Sequence, residues 1–277
     1  MKKKKRRSVE EISAGIFVTS LLVCALACAS AAILLGRGEI EEKAKELPKP
    51  VTELPAPSTL ENSYFLPSTQ DAGLAYQDRL TFFGESTTAH LRSRGVLSNG
   101  TKTTQVLADE SGTKRLSSRL PYENVIDPET GKSVGLLELL GEKQPAILVL
   151  SFGLNGVYGY AAAPESFVAD YSALLSSIQE VSPNTTILLQ TIYPVTKESE
   201  RFDDPEEVNR DIRALNGILP KIAARKDRVY CVDTASVLTD KDGALDAAFD
   251  NGDGYHLNAA AYREILHYLR THAWEET

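Results

Sequence analysis

The chain has 277 residues, 42% hydrophobic and 25% charged, with 18 Gly, 13 Pro and 3 Cys, which excludes a disordered chain, a collagen-like repeat and a disulfide scaffold. Its formal charge of −8 averages two regions: Lys2, Lys3, Lys4, Lys5, Arg6 and Arg7 crowd the tip, and the remainder carries 24 basic against 38 acidic residues, a formal −14. An acidic body argues against nucleic acid as the main partner.

Residues 1–11 form the basic tip, and residues 12–36 hold no charged side chain. About 20 apolar residues cross a bilayer as a helix, so this run predicts a transmembrane signal anchor. The basic cluster before it predicts a cytoplasmic amino terminus, with everything after Arg37 outside the cell membrane. A cleaved signal peptide is the rival, with Ala29-Ser30-Ala31 as the cleavage site, but the apolar run continues to Leu35. A lipid-modified cysteine fits less well, because neither Cys24 nor Cys28 ends the apolar stretch. Residues 37–72 carry Pro48, Pro50, Pro55 and Pro57 and read as a semi-rigid spacer. Residues 73–277 then read as one domain. Cys231 is its only cysteine, expected to be a buried apolar residue, so the domain has no internal disulfide.

Within the domain, Leu80-Thr81-Phe82-Phe83 reads as a strand, and Gln105-Val106-Leu107 as a weaker one. Ala146-Ile147-Leu148-Val149-Leu150 is a continuous apolar run, as a strand buried on both faces requires. Residues 186–192 and 229–232 repeat that pattern. Between them, Phe167, Tyr171, Leu174, Leu175, Ile178 and Val181 recur at helical spacing behind Pro164 and Glu165. Val208, Ile212, Leu215, Leu219 and Ile222 form a second stripe, ending near Gly217 and Pro220. Tyr262, Ile265, Leu266 and Leu269 form a third, with Asn258 as its cap. This alternation predicts an α/β fold whose parallel sheet is covered on both faces, with ligands at the carboxyl ends of the strands.

Three strand-end or helix-start segments there carry polar residues suited to chemistry. In Phe83-Gly84-Glu85-Ser86-Thr87-Thr88, Ser86 reads either as a helix cap or as a nucleophile beside unpaired backbone N–H groups. The G-x-S-x-G elbow is absent, because Thr88 holds the second glycine's place. In Ser151-Phe152-Gly153-Leu154-Asn155-Gly156, Asn155 reads as a turn residue or as an oxyanion donor. In Asp250-Asn251-Gly252-Asp253-Gly254-Tyr255-His256, the three-residue spacing lets Asp253 reach a ring nitrogen of His256 and fix its tautomer. His90, His267 and His272 fall in helical patterns and read as solvated or packed. Asp246, Asp250 and Asp253 lack the D-x-D-x-D-G spacing of a calcium loop, so no metal is expected.

Taken in order, these segments resemble the SGNH, or GDSL-type, hydrolase superfamily, as a membrane-anchored bacterial member. Gly84-Glu85-Ser86 resembles its Gly-Asp-Ser block, Gly153-Leu154-Asn155-Gly156 its Gly-x-Asn-Asp block and Asp253-Gly254-Tyr255-His256 its Asp-x-x-His block. The likeness runs from about residue 80 to 272 and has two departures: Glu85 replaces an Asp and Gly156 replaces another. It implies a three-layer α/β/α sandwich around a mainly parallel five-stranded, flavodoxin-like sheet. It also implies a Ser86–His256–Asp253 triad, no cofactor, and an oxyanion hole of the Ser86 N–H, the Asn155 amide and a loop glycine. Gly112 is the candidate for that glycine, with Gly95 and Gly100 as alternatives. The resemblance implies a serine esterase that hydrolyses acyl groups, or transfers them to another alcohol, through an acyl-serine intermediate. The expected substrates are esters of acylated glycans, O-acetylated envelope carbohydrate first, or of lipids. A non-catalytic glycan-binding module is the reading from a different class.

Overall fold

A computed structural model describes residues 64–275 except Glu110. The expected anchor over residues 12–36 and most of the spacer lie outside the described residues. Among the described residues no helix is long and apolar enough to cross a membrane.

The elements follow one another as α1 (Gly73–Gln77), β1 (Leu80–Gly84), α2 (Ser86–Ser93), β2 (Val106–Leu107), β3 (Asn124–Ile126), β4 (Ser133–Gly135), α3 (Leu136–Lys143) and β5 (Ile147–Ser151). Then come α4 (Val157–Ala162), α5 (Pro164–Val181), β6 (Thr186–Gln190), α6 (Pro205–Asn216), α7 (Leu219–Ala223), β7 (Val229–Val232) and α8 (Ala259–Thr271). Five strands form one sheet in the order β2-β1-β5-β6-β7, all parallel. This is the doubly wound, flavodoxin-like arrangement that the resemblance implies. The chain reverses its direction of winding between β1 and β5, whose register pairs Leu80 with Ile147 and Gly84 with Ser151. The loops leaving these two neighbours therefore open side by side at the switch point, where such sheets bind ligands.

Side chains alternate across each strand and feed two cores. Phe83, Leu148, Leu150, Ile187 and Leu189 pack with α3, α5, α6 and α7 on one face. Leu80, Phe82, Ile147, Val149 and Leu188 pack with Leu91 of α2 and Tyr262, Ile265 and Leu269 of α8 on the other. Cys231 is fully buried in β7, and burial pushes its thiol pKa well up.

Local chemistry fixes the helix ends. Asn258 Oδ1 accepts from the N–H groups of Ala260 and Ala261 and caps α8. Asp204 Oδ1 accepts from Glu207 N–H and, with Pro205 at the first position, starts α6. The stripe from Val208 to Ile222 is two helices rather than one: α6 ends at Gly217 and Pro220 lies in the first turn of α7.

The spacer boundary at residue 72 is corrected. Phe65 bridges in parallel to Cys231 at the end of the sheet, and Leu66 N–H donates to Cys231 O at 2.9 Å. Thr69 and Ala72 then donate to the carbonyls of Thr271 and Arg270 at the end of α8. Residues 64–72 thus belong to the domain, and proline spacing alone did not reveal it. The antiparallel β3–β4 hairpin and α3 are further elements without an assignment at the sequence level.

Candidate active site

Ser86 opens α2 directly after β1, with Glu85 in extended conformation at the cap. The first N–H groups of a helix lack intrahelical partners, so this terminus offers donors to an anion. His256 and Asp253 arrive from the turn before α8. His256 Nε2 lies 2.9 Å from Ser86 Oγ, and His256 Nδ1 lies 2.7 Å from Asp253 Oδ2. The other oxygen, Asp253 Oδ1, accepts from the N–H groups of His256 (2.8 Å) and Tyr255 (3.1 Å). Burial acts to raise the Asp253 pKa, but these N–H donors and the His256 ring outweigh it and hold the carboxylate below its usual range. The carboxylate is thus ionised and aimed at one ring nitrogen, which leaves the other free to accept the serine proton.

Glu85, which stands where the family has an Asp, is a brace. Its side chain is 3% exposed. Oε1 accepts from Gly153 N–H at 3.0 Å and Oε2 from Asn155 N–H at 3.1 Å. The longer side chain reaches across the sheet end and holds the loop that carries Asn155. Burial pushes the Glu85 carboxyl up to about 7, against the pull of the Gly153, Asn155 and Leu154 N–H groups. Gly153 has φ 134°, and a Cβ there would lie 2.5 Å from Ile192 Cδ1. Only glycine lets the loop turn this close under the strand end. Gly156 has an equally concrete reason. A Cβ at this position would lie 2.7 Å from Tyr160 Cε2, and the Tyr160 hydroxyl is fixed 2.7 Å from Leu116 O and 2.8 Å from Asp170 Oδ2. The second departure therefore makes room for a ring, and the first supplies the carboxylate that steadies the loop.

The Asn155 side-chain amide faces the 109–123 loop, with Nδ2 3.4 Å from Lys114 O. Lys114 is buried and gathers that loop through ion pairs to Asp109 (3.3 Å) and Glu123 (2.6 Å). The expectation for Gly112 needs correction. Its loop lies over α2, where a Cβ on Gly112 would lie 3.3 Å from Ala89 Cβ. Its N–H, however, donates to Asp109 Oδ1 at 2.7 Å and is engaged within its own loop. Gly95 and Gly100 are no better placed: Gly95 lies past the far end of α2 from Ser86, nine residues or about 13 Å away at helical rise, and Gly100 lies beside it.

His90 is a neighbour that the motif pattern did not single out. Its ring centroid lies 4.6 Å from that of His256. Desolvation, then the charges of His256 and Arg94, lower its pKa against the pull of Asp253, so His90 favours the neutral form. The signal was present in the spacing, since His90 stands four residues after Ser86 and so shares its face of α2. Tyr255 packs on the other flank, 3.9 Å from the His256 ring between centroids. Phe202 and Tyr158 extend this aromatic lip.

The architecture and the strand-end residues define a doubly wound α/β protein with a serine–histidine–aspartate chain at its switch point. Residues 82–264 match the model of the GDSL-like lipase/acylhydrolase family. The chain belongs to that family and is an ester hydrolase. Solved structures to which it is similar include a GDSL-like lipase from Bacteroides thetaiotaomicron (15% identity, 76% of this chain and 92% of that one, TM-score 0.46). Others are a family 3 carbohydrate esterase from Clostridium thermocellum (17%, 68% and 91%, TM-score 0.43) and one from Talaromyces cellulolyticus (13%, 69% and 93%, TM-score 0.44). No curated protein matches the sequence.

Proposed function

We propose that the chain is a membrane-anchored, extracytoplasmic serine esterase that removes O-acetyl groups from envelope carbohydrate. The observation that carries this reading is the His256 ring, 2.9 Å from Ser86 Oγ and 2.7 Å from Asp253 Oδ2. Ser86 Oγ attacks the acyl carbonyl as His256 Nε2 takes its proton, and the carbonyl oxygen becomes the oxyanion. The Ser86 N–H and the Asn155 amide stabilise that oxyanion; one such donor is worth about 10²–10³ in rate. The intermediate then collapses, the bond to the sugar oxygen breaks as His256 protonates that oxygen, and the sugar leaves as an alcohol with an acyl-serine behind. Water, deprotonated by His256, attacks the acyl-serine and releases the acid, and Ser86 regains its proton. Asp253 stabilises the imidazolium in both half-reactions. The aromatic lip of Tyr158, Phe202 and Tyr255 supports a sugar as the alcohol, since sugar rings present apolar faces for stacking.

The test is a panel of O-acetylated sugars and acyl lipids, with the parent protein beside Ser86→Ala. Release of acetate from sugars by the parent alone supports the reading. Hydrolysis by Ser86→Ala at the parent rate, with contaminating esterase excluded, would overturn the triad, and a clear preference for acyl lipids would overturn the substrate class. The location rests on the basic tip and the uncharged residues 12–36. Protease added to intact cells should remove the domain; full-length protein that survives an active protease would contradict the topology.

A further inference from the structure

Two arginines, Arg115 and Arg201, line the cleft beside Asn155. Several lysines of this acidic chain sit in ion pairs, such as Lys143 with Asp127 and Glu129, and Lys197 with Asp240 and Asp242. Arg115 and Arg201 make no ion pair among the described residues, and both are exposed. They line one cavity of about 320 Å³ together with Asn155, Gly156, Tyr158 and Phe202.

Arg201 is held in place without a counter-ion. Its guanidinium carbon lies 5.0 Å from the Tyr255 ring centroid and 5.8 Å from that of Phe202. Such stacking orients the fork and leaves its N–H groups free. Since Tyr255 packs on His256, Arg201 is one ring removed from the base. Arg115 stands at the other wall, where a Cβ on Gly156 would be 3.4 Å from its Nη2. Two guanidinium groups therefore face the space next to the oxyanion loop. A planar carboxylate is the ligand that such forks pair with bidentately.

The surroundings narrow the choice of anion. Past Tyr158, burial first and then the charges of Asp203, Glu207, Asp204 and Asp211 raise the phenol pKa, so an acidic shelf borders the cavity. A dianionic group or an extended polyanion would meet repulsion there, whereas a single carboxylate lodged between the arginines would be shielded from it. We propose that this cavity binds a carboxylate of the substrate, so that the ester cleaved at Ser86 is carried on an acidic sugar. The proposal rests on the esterase reading and names its substrate class.

The experiment compares full-length protein in detergent on three esters: O-acetylated methyl galacturonate, O-acetylated methyl galactoside and an O-acetylated sugar phosphate. The galacturonate should be favoured in kcat/KM by about tenfold to a hundredfold, the worth of one or two hydrogen bonds to a charged group. Most of that preference should lie in KM and should shrink as salt rises. Arg115→Ala and Arg201→Ala should each reduce the ratio of acidic to neutral ester, and the double variant should bring it near one. Equal rates on acidic and neutral esters, a preference that survives the double variant, or a stronger preference for the phosphate would each overturn the proposal. Calorimetric binding of galacturonate against galactose to Ser86→Ala tests the cavity without turnover. Hydrolysis of 4-nitrophenyl acetate by the parent reports separately on the esterase reading.

Discussion

The two halves of the candidate site are built in opposite ways. Asp253 and His256 are three residues apart, and their contacts lie within one half-exposed turn. Ser86 and Asn155 come from neighbouring strand ends, and the group that joins them, Glu85, reaches 68 and 70 residues along the chain. One half is a local device mounted on the surface. The other is a property of the sheet, because the register that pairs Gly84 with Ser151 sets the separation of the two loops. They meet in a single contact between residues 170 apart, His256 to Ser86. The local half should tolerate change without loss of fold, whereas the sheet-borne half should not.

The largest effects are expected at the meeting point. Ser86→Ala and His256→Ala should each remove ester hydrolysis almost completely, by about 10⁶ in kcat, and the double variant should be little worse, since such groups act as a unit. Asp253→Asn should cost about 10⁴, because an amide favours the wrong tautomer of His256. Initial rates on 4-nitrophenyl acetate decide this. Additive losses in the double variant would mean that Ser86 and His256 do not work together.

Glu85→Gln comes next. Both carboxylate oxygens accept backbone N–H groups, so an amide must turn a donor toward one of them. The Asn155 loop should shift and kcat should fall by about tenfold to a hundredfold, less than the 10²–10³ of a donor lost outright, with little change in KM. The same variant should alter the pH dependence of stability. The folded protein holds the Glu85 proton to about pH 7, against a reference near 4.5. Between these values the folded state binds more protons than the unfolded chain, so this contribution is full below pH 4.5 and is lost as pH rises toward 7. Urea midpoints across that window should fall more steeply in the parent than in Glu85→Gln. Equal slopes would show that the carboxyl is not held protonated.

The same contrast explains what could be read from the sequence. Strands such as Ile147–Ser151 announce themselves as unbroken apolar runs, and the Asp253–His256 pair as a short spacing in a glycine-rich turn. Both signals are local. The role of Glu85 depends on a loop far along the chain, so in the sequence it reads as a departure from pattern rather than a brace. Gly112 is hidden from the sequence for a similar reason: the direction of its N–H is set by Asp109 Oδ1 within a folded loop. Residues 64–72 carry no local signal because their hydrogen bonds go to β7 and α8, over 150 residues away.

Gly156→Asp restores the family's residue and tests whether the sheet-borne half has been rebuilt around its absence. The new Cβ would meet the Tyr160 ring at 2.7 and 2.9 Å. That ring is 7% exposed and fixed through its hydroxyl, so it has little room to yield. Overpacking of this kind costs about 1–3 kcal/mol, or about 2–12 °C in Tm for a domain of this size. A Gly156→Asp, Tyr160→Leu pair should recover part of the loss. An unchanged Tm in the single variant would show that the ring moves freely.

The smallest effect expected is the stability change of Asp253→Asn, and it bears most directly on the local character of the turn. The Asp253 side chain is 39% exposed, so exchange to asparagine strands no buried charge. Oδ1 can still accept from the N–H groups of His256 and Tyr255, which shape the turn. Only the contact of Oδ2 with His256 Nδ1 changes in kind, and that is the contact on which turnover depends. The helix that follows keeps its own cap at Asn258. The substitution should therefore stay within about 0.5 kcal/mol, as exposed changes usually do, and move Tm by about 2 °C or less. A protein nearly inactive yet thermally indistinguishable from the parent would separate the chemistry of Asp253 from its structural role. A fall as large as that of Gly156→Asp would mean instead that the Asp253–His256 contact helps hold α8 against the sheet, and the turn would then not be local at all.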